Sequence, residues 1–401
     1  MKILFLSTWY PYPPDNGSKI RAYYLLRALA AQHEVVAVAF RPPTGEGLST
    51  AAPHLNESRA IAVPDDPFRH VNAPQWVKYL SPYPLAFRAS PAMKTAVANQ
   101  AASLWDAVVA VQMPVAQYAL QVKARARVID VDTALTFQMH ERYLAQARPV
   151  PRASAWVSWQ KARRYESRML RRFQAATVVS PAEAIPLQAL VEAARCQVKV
   201  VPNGVDCSQN RPGLAAARPA TLVYNGALTY SANYDAMRWF LREIYPRIRA
   251  LVPGVSLTIT GSTRGVDLAG LALDDTVRLT GFVDDVRVPV AEASVCVVPI
   301  RLGGGTRLKI LEALALGTPV VATSKGAEGL DVLAGEHLLL ADAPEAFARR
   351  TVELLGNPAL RHALAANGRR LVAERYDWAA IGQRFVDLIE ATVKEKIRRT
   401  V

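Results

Sequence analysis

Short β-branched runs alternate with helix-patterned segments along nearly the whole chain, and few folds accept that rhythm. KILFLS, EVVAVAF, RAIAV, DAVVAV, ARVIDV, AATVVS and VKVV come first. Between them lie segments such as Ser18 to Gln32, where Leu25, Leu26 and Leu29 make one apolar helix face. Strand and helix in alternation predict parallel sheets with helices packed on them. A turn-rich interval at 202–220, PNGVDCSQNRPGLAAARPA, interrupts the series with Asn-Gly, Pro-Gly and Arg-Pro steps. A second series then begins: ATLVYNG, VSLTITG, VRLTGFV, VCVVPI, TPVVAT and HLLLA, with a helix expected over Asn233 to Leu251. Roughly the last sixty residues read as helical throughout.

With 401 residues, 51% of them hydrophobic, the chain can bury two sizeable cores. The expected architecture is α/β: two Rossmann-like domains with parallel sheets facing across a cleft. Residues 1–203 form the first and 204–377 the second, and a helix at about 378–401 packs back on the first. Open parallel sheets bind ligands at the carboxyl ends of their strands. Three glycine-bearing loops fall there: DNGSKIR after the first strand, NGALTYSANYD after the first strand of the second series, and RLGGGTRLK after Val295 to Ile300.

Charge narrows the partners. Lys and Arg number 48 against 34 Asp and Glu, so an anionic partner is expected: a nucleotide, a nucleic acid or an acidic lipid surface. The cysteines, Cys196, Cys207 and Cys296, are odd in number and lack metal-ligand spacing, which suits a reduced, cytosolic setting. The opening MKILFLSTWYPYPP is too short in its apolar run for a signal peptide and reads as a buried first strand. Charges, Pro or Gly interrupt every window that could become a spanning helix, so the expectation is a soluble or peripheral protein.

The third loop is the most informative. Gly303, Gly304 and Gly305 let the backbone reach positive φ and approach a ligand closely, with Thr306 as N-cap of the following helix. Arg307 and Lys309 in the first turn oppose the helix dipole, and a diphosphate bound at the N–H groups would account for them. On a helical wheel Glu312 falls within the apolar arc of Leu308, Leu311 and Ala315. Two readings stand for it: an i, i+3 ion pair with Lys309, or a carboxylate that accepts hydrogen bonds from a diol such as a ribose.

The segments NGALTYSANYDAMRWFLREIYPRI, LTGFVDDVRVPVAEASVCVVPI and RLGGGTRLKILEALALGTPVVATSKGAEGL, in that order, resemble the nucleotide-sugar domain of glycosyltransferase family 4, in its subgroup with a glycine-rich loop. LSTWYPYPPDNGSKIRAYYLLRALAAQHEVVAV and PNGVD at 202–206 resemble the same family, so the likeness covers nearly the whole chain. It implies a GT-B fold and metal-independent, retaining transfer from a nucleoside-diphosphate sugar, with no cofactor beyond that donor. The donor would be bound by the C-terminal domain and a saccharide or lipid-diphosphate-linked acceptor by the N-terminal one, in surface polysaccharide or glycolipid assembly.

By that resemblance Glu312 matches the second of two family glutamates, the one on the ribose, while Gly304 stands at the first. The basic pair common after the first strand of the second domain is replaced by Gly226, Ala227, Leu228 and Thr229, with no cation before Arg238. The diphosphate would then fall to Arg307 and Lys309, with Gly226, Gly303, Gly304, Gly305 and Thr306 supplying close backbone. On the acceptor side the candidates are Gly17, Arg21 and His140; the resemblance implies a His or an acid after a middle strand as the N-terminal catalytic residue, where the chain offers Asp130, Asp132 and His140, and Asp132 is the choice. Asp130 and Asp132 make the one Asp-x-Asp spacing, and it lies in the other half from the glycine loop, so no metal site is expected.

Residues 151–175, PRASAWVSWQKARRYESRMLRRFQA, carry seven cations against Glu166, a net +6, with Trp156, Trp159, Tyr165, Met169 and Phe173 interleaved. Such a helix is either a solvated face or an element for an anionic membrane, which would place the protein in the cytoplasm, peripheral on the inner face of the membrane. Other classes are weaker. A nucleotide-sugar epimerase or other GT-B-like enzyme would share the cleft. A nucleic-acid-binding protein would explain the charge but lacks a recognition motif. A nicotinamide enzyme would need a G-x-G-x-x-G after the first strand, which is absent.

Overall fold

The computed structural model describes residues 1–41, 60–68, 73–84, 88–191, 196–303 and 307–398. The chain divides into two compact units, one of residues 1–202 with 381–401, the other of residues 203–380.

In unit 1, β1 (Lys2–Ser7), β2 (Glu34–Phe40), β3 (Ala60–Val63), β4 (Trp105–Val111), β5 (Ala124–Asp132), β6 (Ala175–Val178) and β7 (Gln197–Val200) form a parallel sheet in the order β3-β2-β1-β4-β5-β6-β7. These are the seven runs read from the first series. The order reverses between β1 and β4, where a doubly wound sheet opens a crevice. Helices α1 (Gly17–Ala30), α2 (Gln75–Leu80), α3 (Pro91–Ala98), α4 (Met113–Ala119), α5 (Leu135–Leu144), α6 (Pro149–Leu170) and α7 (Pro181–Val191) connect the strands. Helix α1 buries Leu25, Leu26 and Leu29, as their spacing required, and Asn16 caps it by accepting from the Lys19 N–H at 3.1 Å.

Unit 2 carries β8 (Thr221–Asn225), β9 (Ser256–Thr260), β10 (Val277–Gly281), β11 (Val295–Val298), β12 (Val320–Ala322) and β13 (Leu339–Leu340), ordered β10-β9-β8-β11-β12-β13. Here the reversal lies between β8 and β11. The helix expected over Asn233 to Leu251 is two, α8 (Ser231–Trp239) and α9 (Tyr245–Leu251), joined by a π-helical turn at Phe240–Ile244. Pro246 has no N–H for the helical ladder, and the Tyr245 N–H reaches back to the Phe240 carbonyl across the widened turn. Helices α10 (Arg287–Ala291), α11 (Leu308–Leu316), α12 (Pro344–Gly356) and α13 (Pro358–Arg375) complete the unit. Helix α14 (Trp378–Arg398) starts in unit 2 and belongs to unit 1 from Ile381 onward. There Gly382 approaches Ala28 so closely that an added Cβ would lie 2.7 Å from the Ala28 methyl. Among the described residues no helix is long and apolar enough to cross a membrane.

Candidate functional site

At the switch point of unit 2, Gly226 follows β8 and Gly303 follows β11. A Cβ on Gly226 would meet Lys309 Nζ at 2.8 Å and Asn233 Nδ2 at 2.9 Å, so glycine is the residue that lets both side chains reach this loop. Gly303 has φ +88°, and its missing Cβ would stand 3.0 Å from the Tyr230 hydroxyl. Gly304, Gly305 and Thr306 lie outside the described residues. The cap position of α11 is Arg307, without a side-chain cap bond, where Thr306 was expected. The buried Arg307 donates through Nη2 to the Gly303 carbonyl at 2.6 Å, which closes the loop onto the start of the helix.

Lys309 turns inward. Its ammonium donates to the Tyr224 hydroxyl at 2.7 Å and to Asn233 Oδ1 at 2.9 Å, so two of its three N–H groups are engaged within unit 2. The space left at Gly226 is what admits the ammonium. Glu312 does not take Lys309 as its hydrogen-bond partner either; its Oε2 accepts from Asn225 Nδ2 at 2.7 Å. Both groups keep some exposed surface, yet protein atoms crowd the charges closely. Desolvation brings Lys309 down to about 7 and pushes Glu312 up to about 7, while the attraction between the two works the other way. The pair therefore changes charge near neutrality. Glu312 Oε1 has no hydrogen-bond partner among the described residues. Two further arginines of this unit are occupied: Arg301 holds Asp235 at 2.9 Å and lies over the Trp239 ring, and Arg238 is 3.7 Å from the same carboxylate.

In unit 1 the equivalent position gathers Ser18, Gln112 and Asp132. Asp132 Oδ2 accepts from Ser18 Oγ at 3.1 Å and from Gln112 Nε2 at 3.0 Å, and Gln112 Nε2 lies 2.8 Å from Ser18 Oγ. Both Gln112 and Asp132 hold positive φ, 72° and 61°, a strained state for non-glycine residues. Burial raises the Asp132 carboxyl above its ordinary value against the pull of Arg21. Its Oδ1 carries no hydrogen bond among the described residues. Gly17 opens α1 beside Ser18. Gln112 was missed by sequence reasoning, because nothing local marks a glutamine for positive φ.

Two acceptor-side candidates have partners inside unit 1. Arg21 is fully buried and grips Asp130 at 2.6 and 2.7 Å, with its third nitrogen on the Pro202 carbonyl at 3.3 Å. Thr177 donates to the same Asp130 carboxylate. This network braces α1 against the sheet and leaves Arg21 no face for an acceptor. His140 stacks on Trp159 at 4.4 Å, with Tyr143 at 5.7 Å from the same indole, and so helps to join α5 to α6.

Glu166, the lone acid of the basic helix, is also structural. The first residue before α5, Ala134, has no side chain to cap it, so Glu166 reaches from α6 to accept from the N–H groups of Leu135 and Thr136, both at 2.8 Å. Glu183 takes the Ala134 N–H at 2.8 Å, and its carboxyl is pushed up to about 7 by burial. The seven cations around Glu166 divide as well: Lys161 binds the carbonyls of Lys78 and Tyr79, Arg152 lies over the Tyr143 ring, and the arginines at 163, 164, 168, 171 and 172 are exposed. Among the described residues no cluster of His, Cys, Asp and Glu has metal-holding geometry.

Two doubly wound units, each with polar groups converging at its switch point, define a two-domain α/β enzyme of the nucleotide-sugar type. A glycosyl transferases group 1 model matches residues 219–357 and a glycosyl transferase 4-like domain model matches 16–204, and the chain belongs to glycosyltransferase family 4, with the GT-B fold. It is 28% identical over 405 residues to a glycogen synthase of Mycobacterium tuberculosis, covering 95% of this chain and 92% of that one. It is 31% identical to a phosphatidyl-myo-inositol mannosyltransferase of Mycobacterium leprae over 49% of this chain and 55% of the relative. In fold it is similar to sucrose-phosphate synthase from Thermosynechococcus elongatus, with TM-score 0.72, 20% identity, and 98% and 99% of the two chains covered. The protein is a glycosyltransferase that uses a nucleotide sugar.

Proposed function

We propose that unit 2 binds the donor and unit 1 the acceptor, and that transfer proceeds with retention of the anomeric configuration and without a metal or other cofactor. The observation that carries the donor half is the Glu312 carboxylate, oriented by Asn225 through one oxygen and open at the other, at the switch point of its sheet. Its open oxygen accepts the ribose hydroxyls. Backbone at Gly226 and Gly303 comes close to the diphosphate, and Arg307 at the start of α11 supplies positive charge as that group departs. Lys309, neutral or charged near pH 7, gains its proton fully when the diphosphate arrives. In unit 1, Asp132 offers Oδ1 to the acceptor hydroxyl and takes its proton.

The acceptor in this reading is a saccharide carried on a lipid phosphate or diphosphate, in cytoplasmic assembly of a surface polysaccharide or glycolipid. The phosphatidylinositol named for the mycobacterial relative supports a lipid-borne acceptor. So do the exposed arginines of α6, which make the enzyme peripheral on an anionic membrane. The test is calorimetry with a panel of nucleoside diphosphates, followed by anomer-resolved NMR of the transfer product. Wild-type donor affinity in Glu312→Gln removes the ribose role, and an inverted product anomer removes retention.

A further inference from the structure

Helix α2 lies against α6. Lys161 joins them by donating to the Lys78 and Tyr79 carbonyls at 2.8 and 2.7 Å, and the Tyr79 hydroxyl donates to Ser154 Oγ at 2.9 Å. Beside this contact opens a cavity of about 680 Å³, lined by Trp76, Leu80 and Met169 on its apolar side and by Arg88, Arg168 and Arg172. That volume falls in the range of small-molecule sites. Tyr83 closes one wall by packing on Tyr165, ring centres 5.6 Å apart.

Two features of this wall are unusual together. Trp76 is 67% exposed and Leu80 77%, so a short helix leaves its largest apolar side chains in water. Around them the three arginines are exposed, and among the described residues none has a carboxylate within ion-pair distance. An apolar molecule alone would leave the guanidinium groups unmatched, and a small anion alone would leave the indole and isobutyl surfaces wet. Charge complementarity and apolar surface together call for one amphiphile.

We propose that this cavity binds a single lipid phosphate, its hydrocarbon chain against Trp76, Leu80 and Met169 and its phosphate on Arg88, Arg168 and Arg172. The inference rests on the reading of a lipid-borne acceptor and adds where the lipid part is held, at residues outside both switch points. Planar guanidinium groups match phosphate oxygens in a forked geometry, which is why arginine suits the headgroup end. Binding a monomer in a cavity differs from adsorption to a charged surface, because the chain length and the phosphate must both contribute.

The experiment is calorimetric titration of the full chain with dodecyl phosphate below its critical micelle concentration. Inorganic phosphate, dodecyl maltoside and a glutamate-rich peptide are run beside it. The expected result is saturable binding of one dodecyl phosphate, with each comparison ligand at least tenfold weaker. Affinity should fall at least tenfold in Leu80→Asp and again in Arg168→Ser with Arg172→Ser; these side chains are exposed, and unchanged thermal melting confirms the fold. Equal affinity for inorganic phosphate would reduce the site to an anion site, equal affinity for the maltoside to an apolar one, and equal affinity for the peptide to a protein-docking face. Unchanged dodecyl phosphate affinity in both variants would also overturn the proposal. Sedimentation with anionic vesicles but no dodecyl phosphate binding sinks the cavity alone, whereas transfer only to lipid-free acceptors sinks the lipid-borne acceptor reading.

Discussion

The Gln112 carboxamide donates to Asp132 Oδ2 at 3.0 Å, and both residues keep positive φ at the carboxyl ends of neighbouring strands. Each such backbone state is unfavourable by roughly 1–3 kcal/mol, and the hydrogen bonds among Ser18, Gln112 and Asp132 are what the strain obtains. Asparagine tolerates this conformation, so Asp132→Asn should fold with a melting temperature near that of the wild type. Loss of the base should lower kcat by about 10²–10⁴-fold with little change in donor KM. Steady-state kinetics checks it; a kcat within threefold of wild type would make Asp132 a structural acid.

Gln112→Gly separates strain from function. Glycine relieves the positive φ but removes the amide that orients Asp132. The variant should match or exceed the wild type in urea stability while losing catalysis. A variant that is less stable and fully active would show that the amide serves the fold alone.

Arg21 and Asp130 are predicted to carry stability. Asp130→Asn leaves a buried guanidinium without its countercharge and should destabilise unit 1 by about 3–5 kcal/mol. Denaturant unfolding measures this. Nucleoside diphosphate affinity, which the proposal assigns to unit 2, should hold at temperatures where the variant remains folded.

These cases mark where sequence reading stops. Most strands among the described residues were legible because both sheets are parallel and their central strands are buried, which gives short apolar runs rich in Val and Ile, whereas β7 and β10 are more exposed and β13 is two leucines. Glu312 was legible because a carboxylate among Leu308, Leu311 and Ala315 breaks the helix pattern. Lys309 was not, since the space it occupies is made by Gly226, distant in sequence. Arg21 looked like a loop cation near a ligand, and only the pairing of β1, β4 and β5 brings Asp130 within its reach. The α2 segment raised no expectation at all: six residues carry too little periodicity to declare a surface.

The Lys309 and Glu312 pair predicts an unusual stability profile. Glu312 binds its proton more tightly folded than unfolded, so between about 4.5 and about 7 stability falls as pH rises. Lys309 binds its proton less tightly when folded, so between about 7 and 10.5 stability rises with pH. The pair's contribution is therefore lowest near neutrality. Glu312→Gln should abolish the acid-side fall, gaining about 1–3 kcal/mol on wild type at pH 8 relative to pH 4.5 in urea melts. Donor affinity should drop by about 1.5–3 kcal/mol in the same variant. Parallel pH profiles for both proteins would count against the shifted carboxyl.

Donor binding should move protons through the same pair. At pH 8 the diphosphate raises the Lys309 value and the protein takes up a proton; at pH 6 ribose hydroxyls favour the Glu312 carboxylate and a proton is released. Calorimetry in buffers of different ionisation enthalpy reads both signs, and proton exchange of one sign at both values would contradict the assignment.

The proposed membrane association rests on the exposed arginines of α6 and of the turn that follows it. Arg163, Arg164 and Arg171 line a shallow groove with Gln160 and Ser167, and Trp156, on the same helix as the stacked Trp159, stands 48% exposed. Each cation near an anionic surface contributes about 1 kcal/mol, so three or four give measurable binding that salt weakens. Trp156 can insert, whereas Trp159 is held by His140 and Tyr143 and should not. Wild-type protein should co-sediment with anionic vesicles at low salt, lose binding at high salt, and lose it in Arg163→Ser, Arg164→Ser, Arg171→Ser combined. Trp156→Ala should weaken binding at every salt concentration, because the term it removes is apolar. Binding that ignores salt and the arginine changes would assign α6 to a solvated face.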